Sequence, residues 1–231
     1  MLRLLVLNAI LGFACLPISA AEPPRIVREN IEWLDVWVPG NGVTNQPRVL
    51  LIGDSITRAY YKIVEDRLKG KAIVARLTTS KSLGDPGYLD EVRLVLGQTR
   101  FDVVHFNNGM HGWGYNEEEY ASAIPKLLAT IRQGAPGARL IAATTTPVRV
   151  AGKLDQLDHK TQRVKARNQA ATKFMKQEKI PVNDLFALVA SKPEWFSPDG
   201  VHFNAKGSVA LGEQVAAEVI KLLADKAHAK P

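Results

Sequence analysis

The chain has 231 residues, 46% hydrophobic and 23% charged, which is ordinary globular composition and excludes a disordered or collagen-like chain. Its formal net charge is +7, with the excess gathered between Lys153 and Lys179, where Lys160, Arg163, Lys165, Arg167, Lys173 and Lys176 meet few acids. No aromatic interleaving or base-reading motif accompanies this charge, so it reads as a solvated helix face and not as a nucleic-acid site; a weak attraction to acidic polysaccharide is compatible with it.

The first element is a leader. Arg3 supplies a short positive region, Leu4 to Leu16 is apolar but too short to span a bilayer, and Ile18-Ser19-Ala20-Ala21 offers small residues for cleavage. Residues 1–21 are therefore expected to be a signal peptide of a secreted or periplasmic protein, with no stable membrane insertion after cleavage. Cys15, the only cysteine, falls inside it, so the mature chain would have no disulfide, thiol nucleophile or thiolate metal site. Residues 22–47 read as an amino-terminal extension. Within it, Asn30 to Val38, with Trp33 and Trp37, is expected to pack across the sheet edge or a helix and to take no part in catalysis.

One domain is expected over residues 48–225, followed by a frayed tail at 226–231. Val49-Leu50-Leu51-Ile52 is an uninterrupted aliphatic run, the signature of a strand buried on both faces, and it ends at Gly53-Asp54-Ser55. A helix over Arg58 to Lys69, a strand over Lys71 to Leu77 and a helix over Tyr88 to Leu96 follow. Phe101 to Phe106 is a third strand and Glu117 to Gln133 a helix that is kinked at Pro125 or begins there. Arg139 to Thr145 is a fourth strand, His159 to Lys179 a long basic helix, Ile180 to Asp184 a fifth strand and Ser208 to Leu223 the last helix. Strands alternating with helices imply right-handed crossovers, hence an α/β fold, a three-layer αβα sandwich on a parallel five-stranded sheet.

In such sheets ligands bind at the carboxyl ends of the strands, and Ser55 sits at one. A serine hydroxyl needs a base within hydrogen-bond reach, and the base needs a carboxylate to orient it. Near the other end of the chain, Ser197-Pro198-Asp199-Gly200-Val201-His202 places an acid three residues before a histidine in a loop ahead of the last helix. Asp54 reads as a side chain capping its own turn, and His105, inside a strand, as a satisfied core or interlayer histidine.

With Gly53-Asp54-Ser55 after the first strand and Asp199 and His202 before the last helix, the sequence resembles the SGNH or GDSL hydrolases. The resemblance implies a flavodoxin-like sheet and ester hydrolysis with Ser55 as nucleophile, His202 as general base and Asp199 as its partner. Family members complete an oxyanion hole with the amide of a glycine after the second strand and an asparagine after the third. Lys81 stands at the first position, with Gly84 as the alternative. At the second, strand counting puts His111 on the asparagine, and a shifted register would use Asn107 or Asn108; a neutral imidazole N–H can donate as an amide does.

Trp113 and Trp195 flank the two motif regions and could offer an apolar platform to a sugar ring or acyl chain, and Arg58 could meet an anionic substrate. The expected activity is a secreted serine esterase removing short acyl groups, with small esters or acylated carbohydrate as substrates. No cofactor, metal, nucleic-acid partner or oligomeric state is indicated. An O-acyltransferase using the same residues, or a catalytically weakened polysaccharide-binding module, are the alternatives.

Overall fold

The computed structural model describes residues 25–225; the expected leader with Cys15 and the tail at 226–231 lie outside them. In chain order the elements are β1 (Leu34–Trp37), β2 (Arg48–Gly53), α1 (Ser55–Leu68), β3 (Ile73–Thr79), α2 (Pro86–Leu96), β4 (Val103–Phe106) and α3 (Glu117–Gly134). They continue with β5 (Arg139–Ala143), β6 (Arg149–Val150), β7 (Lys153–Leu157), α4 (Lys160–Gln177), β8 (Val182–Asn183), α5 (Leu185–Ala190) and α6 (Ala205–Asp225).

The main sheet has six strands in the order β1-β3-β2-β4-β5-β8. The last five are mutually parallel, the flavodoxin-like arrangement, and the chain reverses direction across the sheet between β2 and β4. All six residues of β2 are buried. Val49 and Leu51 pack with Val64 and Leu68 of α1 and with Leu211 and Val215 of α6. Leu50 and Ile52 point the other way, to Val92 of α2 and Leu128 of α3. Residues covered on both faces in this way have no access to water, which is why Val49 to Ile52 is an unbroken aliphatic run.

The structure departs from expectation in several places. The sheet has a sixth strand: β1 lies antiparallel on the outer edge of β3, from Leu34 opposite Thr79 to Trp37 opposite Arg76. Across that pair the Arg76 guanidinium meets the Asp35 carboxylate at 2.8 and 3.1 Å, and this hydrogen bonding holds the Asp35 carboxyl below its usual range. Helix α1 starts at Ser55, not Arg58. Helix α3, by contrast, begins at Glu117 as its pattern indicated, capped by Asn116 and with Pro125 inside it. The hairpin β6–β7 and helix α5 were not foreseen.

The basic helix α4 is solvated on only part of its surface. Arg163 points inward to Glu117 at 2.6 Å and to the Trp113 and Tyr115 carbonyls. Arg167 is 0% exposed and donates to the carbonyls of Gly109 and His111 at 2.9 Å each, of Gly112 at 3.1 Å and of Tyr115 at 3.3 Å. The loop after β4 thus winds around a buried guanidinium. Replacing Arg167 by Met is expected to cost at least about 1–3 kcal/mol in urea unfolding, the scale for leaving a buried acceptor without its donor. Arg167→Lys should recover only part of it, because a point ammonium cannot serve the same fork of carbonyls; a loss under about 1 kcal/mol would show the loop holds without the clamp.

His105 lies fully buried in β4, with Asn183 Nδ2 at 3.4 Å from Nε2, and burial pushes its pKa down to about 4. A folded-state value below the unfolded one of about 6.5 means the unfolded chain takes up the proton first on acidification. The contribution of neutral His105 is complete above pH 6.5 and is lost as the pH falls towards 4, by about 3 kcal/mol. Urea unfolding of His105→Leu should therefore show a shallower stability loss over that window than the native chain; parallel curves would place the acid sensitivity elsewhere.

Candidate functional site

Ser55 is the first residue of α1 and follows directly on β2, at the point where the sheet reverses its winding. Asp54 caps the helix, its carboxylate accepting the Ile56 N–H at 2.9 Å, as its capping role in the sequence suggested. The Ser55 amide is the first of the helix and has no intrahelical acceptor. Gly53 is required by close approach: a Cβ there would lie 2.0 Å from Thr57 Oγ1. The tight strand-to-helix turn of Gly53-Asp54-Ser55 therefore excludes any side chain at its first position.

The second motif arrives from the far end of the chain. The loop between Phe196 and Phe203 closes on itself through Ser197 N–H to His202 O at 2.8 Å, with the two phenylalanine rings 4.4 Å apart at its base. The unforeseen β6–β7 hairpin supports it from below: Arg149 N–H donates to Gly200 O at 2.7 Å and Gly152 N–H to Pro198 O at 3.0 Å. Gly200 has φ +74°, and a Cβ on it would lie 2.1 Å from Arg149 O. The Arg149 guanidinium in turn donates to Leu154 O at 2.7 Å and to Ala190 O, stacking over Phe196.

This scaffold brings the three residues of the two motifs together. Ser55 Oγ is 2.8 Å from His202 Nε2, and His202 Nδ1 is 2.8 Å from Asp199 Oδ2. The other Asp199 oxygen accepts the backbone N–H groups of Val201 and His202 at 2.8 and 2.9 Å. Partial burial pushes the Asp199 carboxyl up, but those two N–H groups and the His202 ring outweigh it and hold the group below its usual range. An ionised Asp199 fixes the proton of His202 on Nδ1 and leaves Nε2 free to accept from Ser55. The side chains of His202 and Asp199 are 45% and 51% exposed, so the pair is reachable from solvent.

The residues named for the oxyanion hole separate clearly. Lys81 N–H is engaged by Thr79 Oγ1 at 3.1 Å, and its ammonium pairs with Glu91 at 2.8 Å. Asn107 donates its side-chain amide to Ala143 O at 2.7 Å and to Thr145 Oγ1 at 3.2 Å. Asn108 ties the loops after β3 and β4 together, donating to Lys81 O and accepting Leu83 N–H, both at 2.9 Å. These three hold the scaffold. His111 differs: Nδ1 is 2.8 Å from Glu29 Oε1, while Nε2 is buried without a hydrogen-bond partner.

Neither tryptophan near the motifs offers a free platform. Trp113 is faced by Lys160, Arg163 and Arg167 at 4.9 to 5.6 Å, and Trp195 by Lys192 at 5.7 Å. Trp33, expected to be remote from catalysis, carries the Arg58 guanidinium at 4.6 Å on its ring and meets His111 edge-on at 6.4 Å. Arg58 is otherwise exposed. Glu29, Arg149 and Arg167 escaped sequence reasoning because each acts on a partner more than 30 positions away and no local pattern marks it. Among the described residues no cluster of His, Cys, Asp or Glu could hold a metal ion.

The family model of the GDSL-like lipase/acylhydrolase family matches residues 51–210. No curated protein sequence matches the chain. Among solved structures, a carbohydrate esterase family 3 protein from Talaromyces cellulolyticus superposes with a TM-score of 0.63 at 18% identity, over 78% of this chain and 99% of that one. A carbohydrate acetylesterase from Sinorhizobium meliloti does so with 0.63 at 15% identity, over 77% and 100%. An aryl esterase from M. smegmatis gives 0.63 at 15% identity, over 76% and 99%. The strand order of the sheet agrees with the family match, and the chain belongs to the GDSL-like lipase/acylhydrolase family as an esterase of the SGNH hydrolase fold.

Proposed function

We propose that this esterase works through Ser55, His202 and Asp199 and removes short acyl groups from carbohydrate. The observation that carries the reading is the unbroken series of 2.8 Å contacts from Ser55 Oγ through His202 to Asp199. Ser55 Oγ attacks the ester carbonyl carbon while its proton passes to His202 Nε2. The tetrahedral oxyanion then collapses, the bond to the alcohol oxygen breaks, and His202 returns the proton to the departing alkoxide. Water, deprotonated by His202, attacks the acyl carbon and restores the Ser55 hydroxyl as the acid leaves.

For the oxyanion we assign the Ser55 amide, the first N–H of α1, and His111 Nε2, the buried nitrogen without a partner. Three observations support the carbohydrate preference: two of the structural neighbours are carbohydrate esterases, a polar cleft adjoins the loops after β3 and β4, and the apolar leader predicts export towards polysaccharide. The half-exposed dyad favours water over a sugar hydroxyl as acyl acceptor, because acyl transfer needs water kept away from the intermediate.

Ser55→Ala is expected to abolish fluorophosphonate labelling and to lower turnover of p-nitrophenyl acetate by at least about 10⁴-fold. Equal labelling of both proteins would reject Ser55 as nucleophile. His111→Ala should lower kcat by about 10²–10³-fold at unchanged unfolding midpoint. A comparable loss in Asn108→Ala, at native stability and with His111→Ala still active, would move the donor to Asn108. Release of acetate from acetylated xylan and from aryl acetates, compared by kcat/KM, tests the substrate class; a preference for aryl acetates would overturn it.

A further inference from the structure

The segment from Arg25 to Trp33 is strapped to the loops around the nucleophile. Arg25 meets Glu119 at 2.9 Å, Val27 N–H donates to the Tyr115 hydroxyl at 2.8 Å, and Arg28 meets Asp85 at 3.1 Å. Ser80 Oγ donates to Glu32 and accepts Trp33 N–H, both at 2.9 Å. Together with Ser80, Ser82, Gly112 and Lys160, the strap encloses a polar cleft of about 390 Å³. Its Glu29 holds His111 Nδ1 at 2.8 Å, its Trp33 packs against the His111 ring, and His111 Nε2 is left buried and unpaired.

That pattern constrains the chemistry. A neutral imidazole that donates Nδ1–H to a carboxylate has only a lone pair at Nε2 and cannot donate there; both nitrogens donate only in the imidazolium. Arg167 donates to the His111 carbonyl at 2.9 Å, and Arg58 lies over the Trp33 ring that packs against His111. Arg28, Glu32 and Lys160 line the adjoining cleft, and Glu29 is the acid in hydrogen-bond contact with the ring.

We propose that Glu29 is a positioning residue of the esterase site: it orients the His111 ring and balances a second proton on it, so that an imidazolium Nε2–H meets the oxyanion. This rests on the assignment of His111 as oxyanion donor. Catalysis then demands opposite states of two histidines, His202 neutral to take the Ser55 proton and His111 charged to hold the oxyanion. The amino-terminal strap becomes part of the active site.

The test is the pH profile of kcat and KM for p-nitrophenyl acetate in the native chain, Glu29→Gln, Glu29→Asp, His111→Asn and the double variant Glu29→Gln/His111→Asn. The native profile should fall at both acid and alkaline ends. Glu29→Gln should lower kcat by up to about a hundredfold, leave KM nearly unchanged and move the alkaline fall to lower pH, with Glu29→Asp recovering part of the loss. His111→Asn, whose amide donates without titrating, should lose the alkaline fall and make Glu29→Gln silent. A native profile in Glu29→Gln, or an equal loss in the His111→Asn background, would overturn the proposal. Full kcat in His111→Ala would instead overturn the donor assignment beneath it. If Glu29→Gln does not fold, Glu29→Asp and His111→Asn carry the comparison through their alkaline limbs.

Discussion

A guanidinium with no exposed surface cannot keep its hydrogen bonds to water, and Arg167 replaces them with the carbonyls of Gly109, His111, Gly112 and Tyr115. The benefit runs in both directions. The loop after β4 has little regular structure of its own, and its inward-facing carbonyls would otherwise be left unpaired. One side chain on α4 therefore determines where His111 stands. The same helix holds the loop after β5, where Asn168 pairs with the Thr145 amide and carbonyl at 2.8 Å each. Loops at the carboxyl end of the sheet are fastened by a helix packed beside them, so the site gains rigidity from tertiary contacts and not from its own backbone pattern.

How much of this was legible in the sequence depended on how local each cause was. Val49 to Ile52 announced a doubly covered strand because burial on both faces leaves its mark within four consecutive residues. The pairing of Asp199 with His202 was readable because the two lie only three positions apart in one loop. By contrast, β1 is a short edge strand with three of four residues exposed, so it shows no hydrophobic alternation. The β6–β7 hairpin is two short strands whose role is to pair with the turn at Gly200, a contact that no neighbouring residue encodes. The six cations of α4 looked alike in one dimension; only packing separates Arg163 and Arg167 from the exposed Lys165, Lys173 and Lys176.

The oxyanion region shows the same limit in a sharper form. Asn107, Asn108 and His111 lie within five positions and all carry suitable donors, so residue type alone could not rank them. Partnership could. The two asparagines each have their amides engaged by backbone of other loops, while the histidine keeps one nitrogen unclaimed. Buried polar atoms without partners are uncommon in folded proteins, because each costs about 1–3 kcal/mol.

The half-open setting of His202 and Asp199 has a kinetic meaning as well as a steric one. A histidine in contact with bulk water can exchange its proton directly with buffer, without a relay of side chains. Product acid and alcohol can also leave by the route the substrate entered. An esterase arranged in this way gives up the electrostatic gain of a dry pocket in exchange for direct access from solvent. Selectivity in such a setting falls to the groups around the reacting carbonyl, which meet each ester as it arrives.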